Sequence, residues 1–87
     1  MKKLRVAEDG DTEELSSLSF GSDEVFLIVD EEGKNVYIWI GCNANVRKRF
    51  AAARAAGEIK RQDLTYSNIT IDEEHEPAGW RSKILTV

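Results

Sequence analysis

The segment VFLIVDEEGKNVYIWI, residues 25–40, constrains the fold more than any other part of the chain. Two apolar runs, residues 25–29 and 36–40, flank a polar stretch that contains Gly33. Neither run alternates with polar residues, so neither leaves one face to water, and β-branched and aromatic side chains dominate both. They read as a hairpin at the centre of a sheet that is covered on both faces. A chain of 87 residues can supply that cover only with helices, one layer on each side.

The first cover is plain. Val46–Gln62 is built from strong helix formers without proline, and Asn43 or Asn45 can serve as its N-cap. Its apolar positions, Ala52, Ala55, Ala56 and Ile59, make a narrow stripe of small side chains that lets the helix lie close to the sheet, with Phe50 beside it. The second cover is short. Pro77 suits the first position of a helix and opens PAGWRSKI, in which Trp80 and Ile84 can be buried. Between the helices SNITI, residues 67–71, reads as a third central strand, at the end of a path long enough for a right-handed crossover. LRVAE, residues 4–8, reads as an edge strand, EDGDTEELSS after it as an acidic loop turning at Gly10, and the final ILTV as a last strand. The expected fold is α+β, an α/β sandwich: a mixed central sheet of about five strands between one long and one short helix. It forms one domain over residues 1–87.

Composition narrows the function. No apolar run reaches the length of a membrane span, and MKKLRVAEDGDTEE has no apolar core behind its lysines, so it is not a secretory signal. Cys42 is the one cysteine; it forms no internal disulfide, reads as a small buried residue, and with His75 alone makes no zinc site. These features read as a cytoplasmic, reduced protein. EDGDTEE lacks the third ligand and the closing glutamate of an EF-hand loop and reads as solvated. No serine, cysteine or carboxylate pair is arranged for catalysis, which points to a binding module rather than an enzyme.

Charge is unevenly spread. The chain carries −4, yet residues 41–62 carry +5, with Arg47, Lys48 and Arg49 at the start of the long helix. The helix dipole disfavours cations there by tenths of a kcal/mol each. Arg47, Arg54 and Arg61 are spaced by seven, so they drift only about 20° per step and form one outward stripe with Glu58, rimmed by Phe50. The stripe reads in three ways: a solvated face in which Glu58 bridges Arg54 and Arg61, a contact for an acidic protein, or a contact for anionic lipid. Nucleic acid is disfavoured, since the domain is acidic overall and no aromatics interleave with the arginines.

In order, DEVFLIVDEEGKNVYIWIGCNANVRKRFAAARAA resembles the gelsolin-like domain of the gelsolin, villin and severin superfamily. Trp39 and Gly41 fall on its tryptophan–x–glycine signature, and Asn45 on the asparagine before its helix. IDEEHEPAGW is similar to its acidic–x–x–glutamate–proline–x–x–aromatic segment through Glu76, Pro77 and Trp80. A domain standing alone suits a primitive or archaeal version. The resemblance implies an actin-binding cytoskeletal regulator, with Arg47, Phe50, Arg54, Glu58 and Arg61 as partner-binding residues on the long helix. It also implies an internal calcium site built on Asp23, Glu24 and a helix glutamate. That glutamate falls on Lys48, whose ammonium repels a cation, so Glu24 and Lys48 are expected to pair in place of the ion and no cofactor is expected. The alternative keeps the fold without actin: a scaffold of vesicle-coat type, or a membrane-associated, phosphoinositide-binding domain. A terminal edge strand could also pair two copies into a homodimer.

Overall fold

The computed structural model describes residues 1–85. In chain order the elements are β1 (Lys2–Val6), β2 (Thr12–Leu15), β3 (Val25–Asp30), β4 (Asn35–Ile40), α1 (Val46–Gln62), β5 (Ser67–Asp72) and α2 (Trp80–Leu85). The five strands form one sheet in the order β2-β1-β3-β4-β5. All pairs are antiparallel except β4–β5, which is parallel and reached through α1. This is the expected mixed sheet with one long and one short helix.

The two apolar runs pair in register, with Phe26 opposite Trp39 and Leu27 opposite Ile38, and every residue of β3 is buried. Alternation sorts their side chains onto two cores. Val25, Leu27, Val29, Val36 and Ile38 meet Val6, Tyr66 and the helix alanines Ala51, Ala52 and Ala56. The expected stripe is thus rotated slightly toward Ala51, with Ala55 and Ile59 packed at its margin. On the other face Phe26, Ile28, Tyr37 and Trp39 meet Leu18, Ile71, Trp80 and Ile84. Trp39 is fully buried there, edge-on to Phe20 at 4.9 Å between ring centroids.

Four expectations are corrected. The first strand is not an edge: β1 lies inside the sheet because part of the acidic loop, Thr12–Leu15, pairs with it as β2. Its acids find cross-strand cations, Glu13 at 3.5 Å from Arg5 and Glu14 at 3.9 Å from Lys2. TEEL shows neither high β propensity nor apolar alternation, so its strand comes from the ladder offered by β1. Conversely, β5 is an edge and not a central strand. Ser67, Asn68, Thr70 and Asp72 are exposed and only Ile69 and Ile71 turn to the α2 face. Finally, Ile84 and Leu85 of the expected last strand belong to α2, while Thr86 and Val87 lie outside the described residues. Pro77 stands ahead of α2 rather than inside it, because Gly79 adopts φ 77° and breaks the helical path.

Gly41 holds the end of the central hairpin close to the loop before β3. A Cβ on it would sit 2.2 Å from the Ser22 carbonyl oxygen, so no other residue fits without moving backbone. Glu76 fastens α2 to the sheet: its Oε2 accepts from Trp39 Nε1 at 2.9 Å, from Arg81 at 3.1 Å and from the Glu74 N–H at 3.2 Å. The Arg81 guanidinium in turn covers the Phe20 ring at 4.6 Å. Burial alone pushes the Glu76 carboxyl up, but the hydrogen bonds from Trp39, Arg81 and Glu74, with the guanidinium's charge, outweigh it and hold the group below its ordinary 4.5.

A carboxylate held down in this way stabilises the fold above its unfolded pKa and stops doing so as pH falls through the lower folded value. Glu76→Gln should therefore cost about 2 kcal/mol at neutral pH and flatten the loss of stability below pH 4.5. Urea unfolding of both proteins at pH 7 and at graded acid pH checks this; parallel pH profiles would show that Glu76 carries no such linkage.

A candidate partner-binding face on the long helix

Asn45 is the N-cap of α1. It is extended, at φ −75° and ψ 164°, and its Oδ1 accepts the Lys48 N–H at 2.9 Å. Its Nδ2 donates to the Glu8 carboxylate, which brings an acid to the helix start from β1's end. The first turn itself holds no acidic residue, so this contact eases the repulsion that three cations would otherwise feel at the positive end of the dipole. Lys60 and Arg61 sit in the last turn, where the dipole favours them.

Lys48 reaches back to the loop before β3. Its Nζ donates to the Asp23 carbonyl at 2.9 Å. The neighbouring carbonyls are already engaged: Gly21 accepts from Glu24, Ser22 from Asn43, and Glu24 from Gly41. Asp23 is the carbonyl left to take the ammonium. The expected pairing of Lys48 with the Glu24 side chain is therefore corrected to the adjacent backbone oxygen; among the described residues Glu24 enters no ion pair.

Glu73 closes the same corner, accepting the Cys42 N–H at 2.8 Å and the Ser22 hydroxyl at 3.0 Å. The Cys42 backbone hydrogen bond, foremost, lowers the Glu73 pKa. Cys42 itself is exposed, against expectation, and its thiol is pushed up chiefly by a hydrogen bond to Glu73, so its thiolate is disfavoured.

The outward face of α1 gathers the expected residues. Arg47, Arg54, Glu58 and Arg61 are all exposed. Glu58 bridges only Arg61, at 2.9 Å, and both side chains are more than half exposed, so the pair adds little to stability. Among the described residues Arg47, Arg49, Arg54 and Lys60 enter no ion pair. The bridge expected between Glu58 and Arg54 is absent. Phe50 is 68% exposed, and one turn before it Val46 is 59% exposed. Residues at i and i+4 are neighbours on a helix surface, so these two form an apolar strip beside the guanidinium groups. The sequence reading missed Val46, although its spacing from Phe50 was the available signal. The arrangement can seat two apolar side chains in a slot while arginines meet acids at its rim.

Beside this face α1 and β1 enclose a groove of about 330 Å³ floored by Leu4, Leu27, Ala51, Ala55 and Ile59, with Arg54 and Glu58 at its edge. No helix among the described residues is long and apolar enough to cross a membrane.

Residues 7–80 match the family model of the gelsolin repeat. The chain belongs to the gelsolin-repeat family. Within the matched residues lie the Trp39–Gly41 corner, the α1 face and the Glu76–Trp80 segment. A curated relative, actin depolymerising venom protein gelsolin 1 of Platymeris rhadamanthus, is 36% identical over 50 residues. That match covers 58% of this chain but spans only 13% of the relative's length. Among solved structures, this gelsolin repeat is similar to Thorarchaeota ProGel in its complex with rabbit actin, with a TM-score of 0.85 at 21% identity over 95% of this chain and 97% of that one. Thorarchaeota 2DGel3, also solved with rabbit actin, gives a TM-score of 0.84 at 21% identity, covering 95% of this chain and 42% of that one. At these identities the likeness is one of fold.

Because the strip on α1 lies outside both cores, it should be dispensable for folding. Val46→Ser and Phe50→Ser are each expected to change stability by no more than about 0.5 kcal/mol, whereas Asn45→Ala should cost about 1 kcal/mol through the lost cap. Chemical unfolding of the three variants checks the ranking; a larger loss for Phe50→Ser would mean that its ring is part of the core.

Proposed function

We propose that this gelsolin repeat is an actin-binding cytoskeletal regulator that meets actin through the outward face of α1 and works without the family's internal calcium ion. One observation carries the reading: the long helix presents Val46, Phe50, Arg47, Arg54 and Arg61 to solvent, although neither core nor ion pairing requires most of them there. Family membership supplies the partner, and the fold likeness to two proteins solved with actin agrees with it. Actin is acidic, so guanidinium groups can pair bidentately with its carboxylates while Phe50 and Val46 supply desolvated contact. Glu58 orients Arg61 for such a contact.

The calcium part of the reading rests on Lys48. Calcium takes several oxygen ligands, commonly charged ones. At this corner an ammonium stands 2.9 Å from the Asp23 carbonyl. A tethered positive charge beside that oxygen repels a calcium ion, and this supports the calcium-independent reading.

Co-sedimentation with filamentous actin, in calcium and in chelator, tests both parts. The wild-type domain should pellet equally in the two buffers, and Arg47/Arg54/Arg61→Glu should weaken pelleting by at least about tenfold, with steep salt sensitivity in the wild type. Val46→Ser/Phe50→Ser should weaken it as well. Pelleting that needs calcium would overturn the role of Lys48. Absence of pelleting, with no effect on polymerisation of actin monomers, would overturn the assignment of the partner.

A further inference from the structure

The two edges of the sheet are unlike. β2 carries Glu13 and Glu14, both exposed and tied to cations on β1, and repeated charge of this kind discourages strand addition. β5, SNITID, carries no lysine, proline or glycine, and its only charge is Asp72 at the end. Its inward hydrogen bonds come from odd-numbered residues: the Ser67 N–H donates to the Lys34 carbonyl and the Glu73 N–H to the Ile40 carbonyl, each at 2.9 Å. The even spacing of a parallel ladder therefore turns the N–H and C=O of Asn68 and Thr70, and the N–H of Asp72, away from the sheet. The Asp72 carbonyl is taken by the His75 N–H at 3.0 Å. Flanking this edge on the α2 face is an apolar groove of about 340 Å³ lined by Tyr37, Ile69, Ile71, Pro77 and Trp80.

We propose that the β5 edge binds a second copy of this chain, joining two sheets into one through antiparallel β5–β5 pairing about a two-fold axis at Thr70. A two-fold interface must be complementary to itself, and β5 meets that requirement. With Thr70 opposite Thr70 of the second copy, the two threonines exchange both backbone hydrogen bonds, and the Asp72 N–H of each copy meets the Asn68 carbonyl of the other. Ile69 then lies opposite Ile71 of the second copy on the face that holds the groove, and each copy's isoleucines extend toward the other's apolar surface. Asp72 lies opposite Asn68 of the second copy, so no like charges of the two strands are directly opposed. β2 fails the same test, since antiparallel pairing with itself brings its glutamates together. One short strand and a shallow groove make a small interface, so the dimer is weak and concentration-dependent.

Sedimentation velocity of the full chain over a concentration series, with amide hydrogen exchange at both ends of that series, tests this. The expected result is a reversible monomer–dimer equilibrium, with the Thr70 and Asp72 amides gaining protection as concentration rises. Thr70→Lys, which sets two ammonium groups opposite each other, and Thr70→Pro, which removes an outward N–H that the inward ladder does not use, should each raise the dissociation constant at least about tenfold. Circular dichroism of the dilute variants confirms that each still folds, and the two changes act by different means, so a folding defect in one leaves the other decisive. A wild-type chain that stays monomeric up to about 1 mM, or a dimer that both folded variants retain, would overturn the proposal.

Discussion

Two-sided burial of the β3–β4 hairpin is the constraint on which the rest of the structure depends. Apolar residues pointing to both faces require a layer on each side, and the chain meets that need with helices of different kinds. One face is closed by α1 through alanines, which bring the helix backbone near the sheet; the other is closed by an aromatic cluster around Trp39 and the short α2. α1 is long enough to cover its face with one stripe, which leaves the opposite side of the helix free of structural duty. α2 is only six residues long and depends on Glu76 to fasten the segment before it to Trp39 and Arg81.

The corner where β3 begins, β4 ends and α1 starts is packed backbone against backbone. Gly41 permits the approach, Glu73 ties Cys42 to Ser22, and Lys48 closes on the Asp23 carbonyl. The Lys48 ammonium is tethered to the helix and takes the Asp23 carbonyl, while the Gly21, Ser22 and Glu24 carbonyls beside it are engaged by backbone N–H groups. Electrostatics at the helix start is settled in the same way: Asn45 caps the turn and Glu8 comes to it from another element. Of the cations that look costly in the sequence, Lys48 is answered by a carbonyl distant along the chain, and Glu8 brings an acid to the same helix end.

Separation of duties along α1 follows from helical geometry. With 3.6 residues per turn, the alanines at the sheet and the exposed arginines and Val46–Phe50 strip occupy different sectors of one cylinder. A partner can therefore be met without disturbing the core. The sheet edges divide labour similarly, one guarded by paired charges and the other bearing only Asp72 at its end.

By itself the sequence determined the central hairpin, the span of α1 with two asparagines as candidate caps, the layer on each face and the residues of the outward stripe. Each of these follows from local signals: unbroken apolar runs, helix-former content, an asparagine before the helix, and cations spaced by seven. Only the tertiary structure decided which strands lie at the edges, because TEEL becomes a strand by pairing with β1 and SNITID is left outside by β4. It also decided that Lys48 meets the Asp23 carbonyl rather than the Glu24 side chain, that Phe50 turns outward and Val46 joins it, and that Cys42 is exposed. The physical reason is common to all of these. Strand order, the direction of a side chain at the margin of a stripe and the partner of a long lysine depend on groups far away in sequence, and no local pattern records where those groups come to lie.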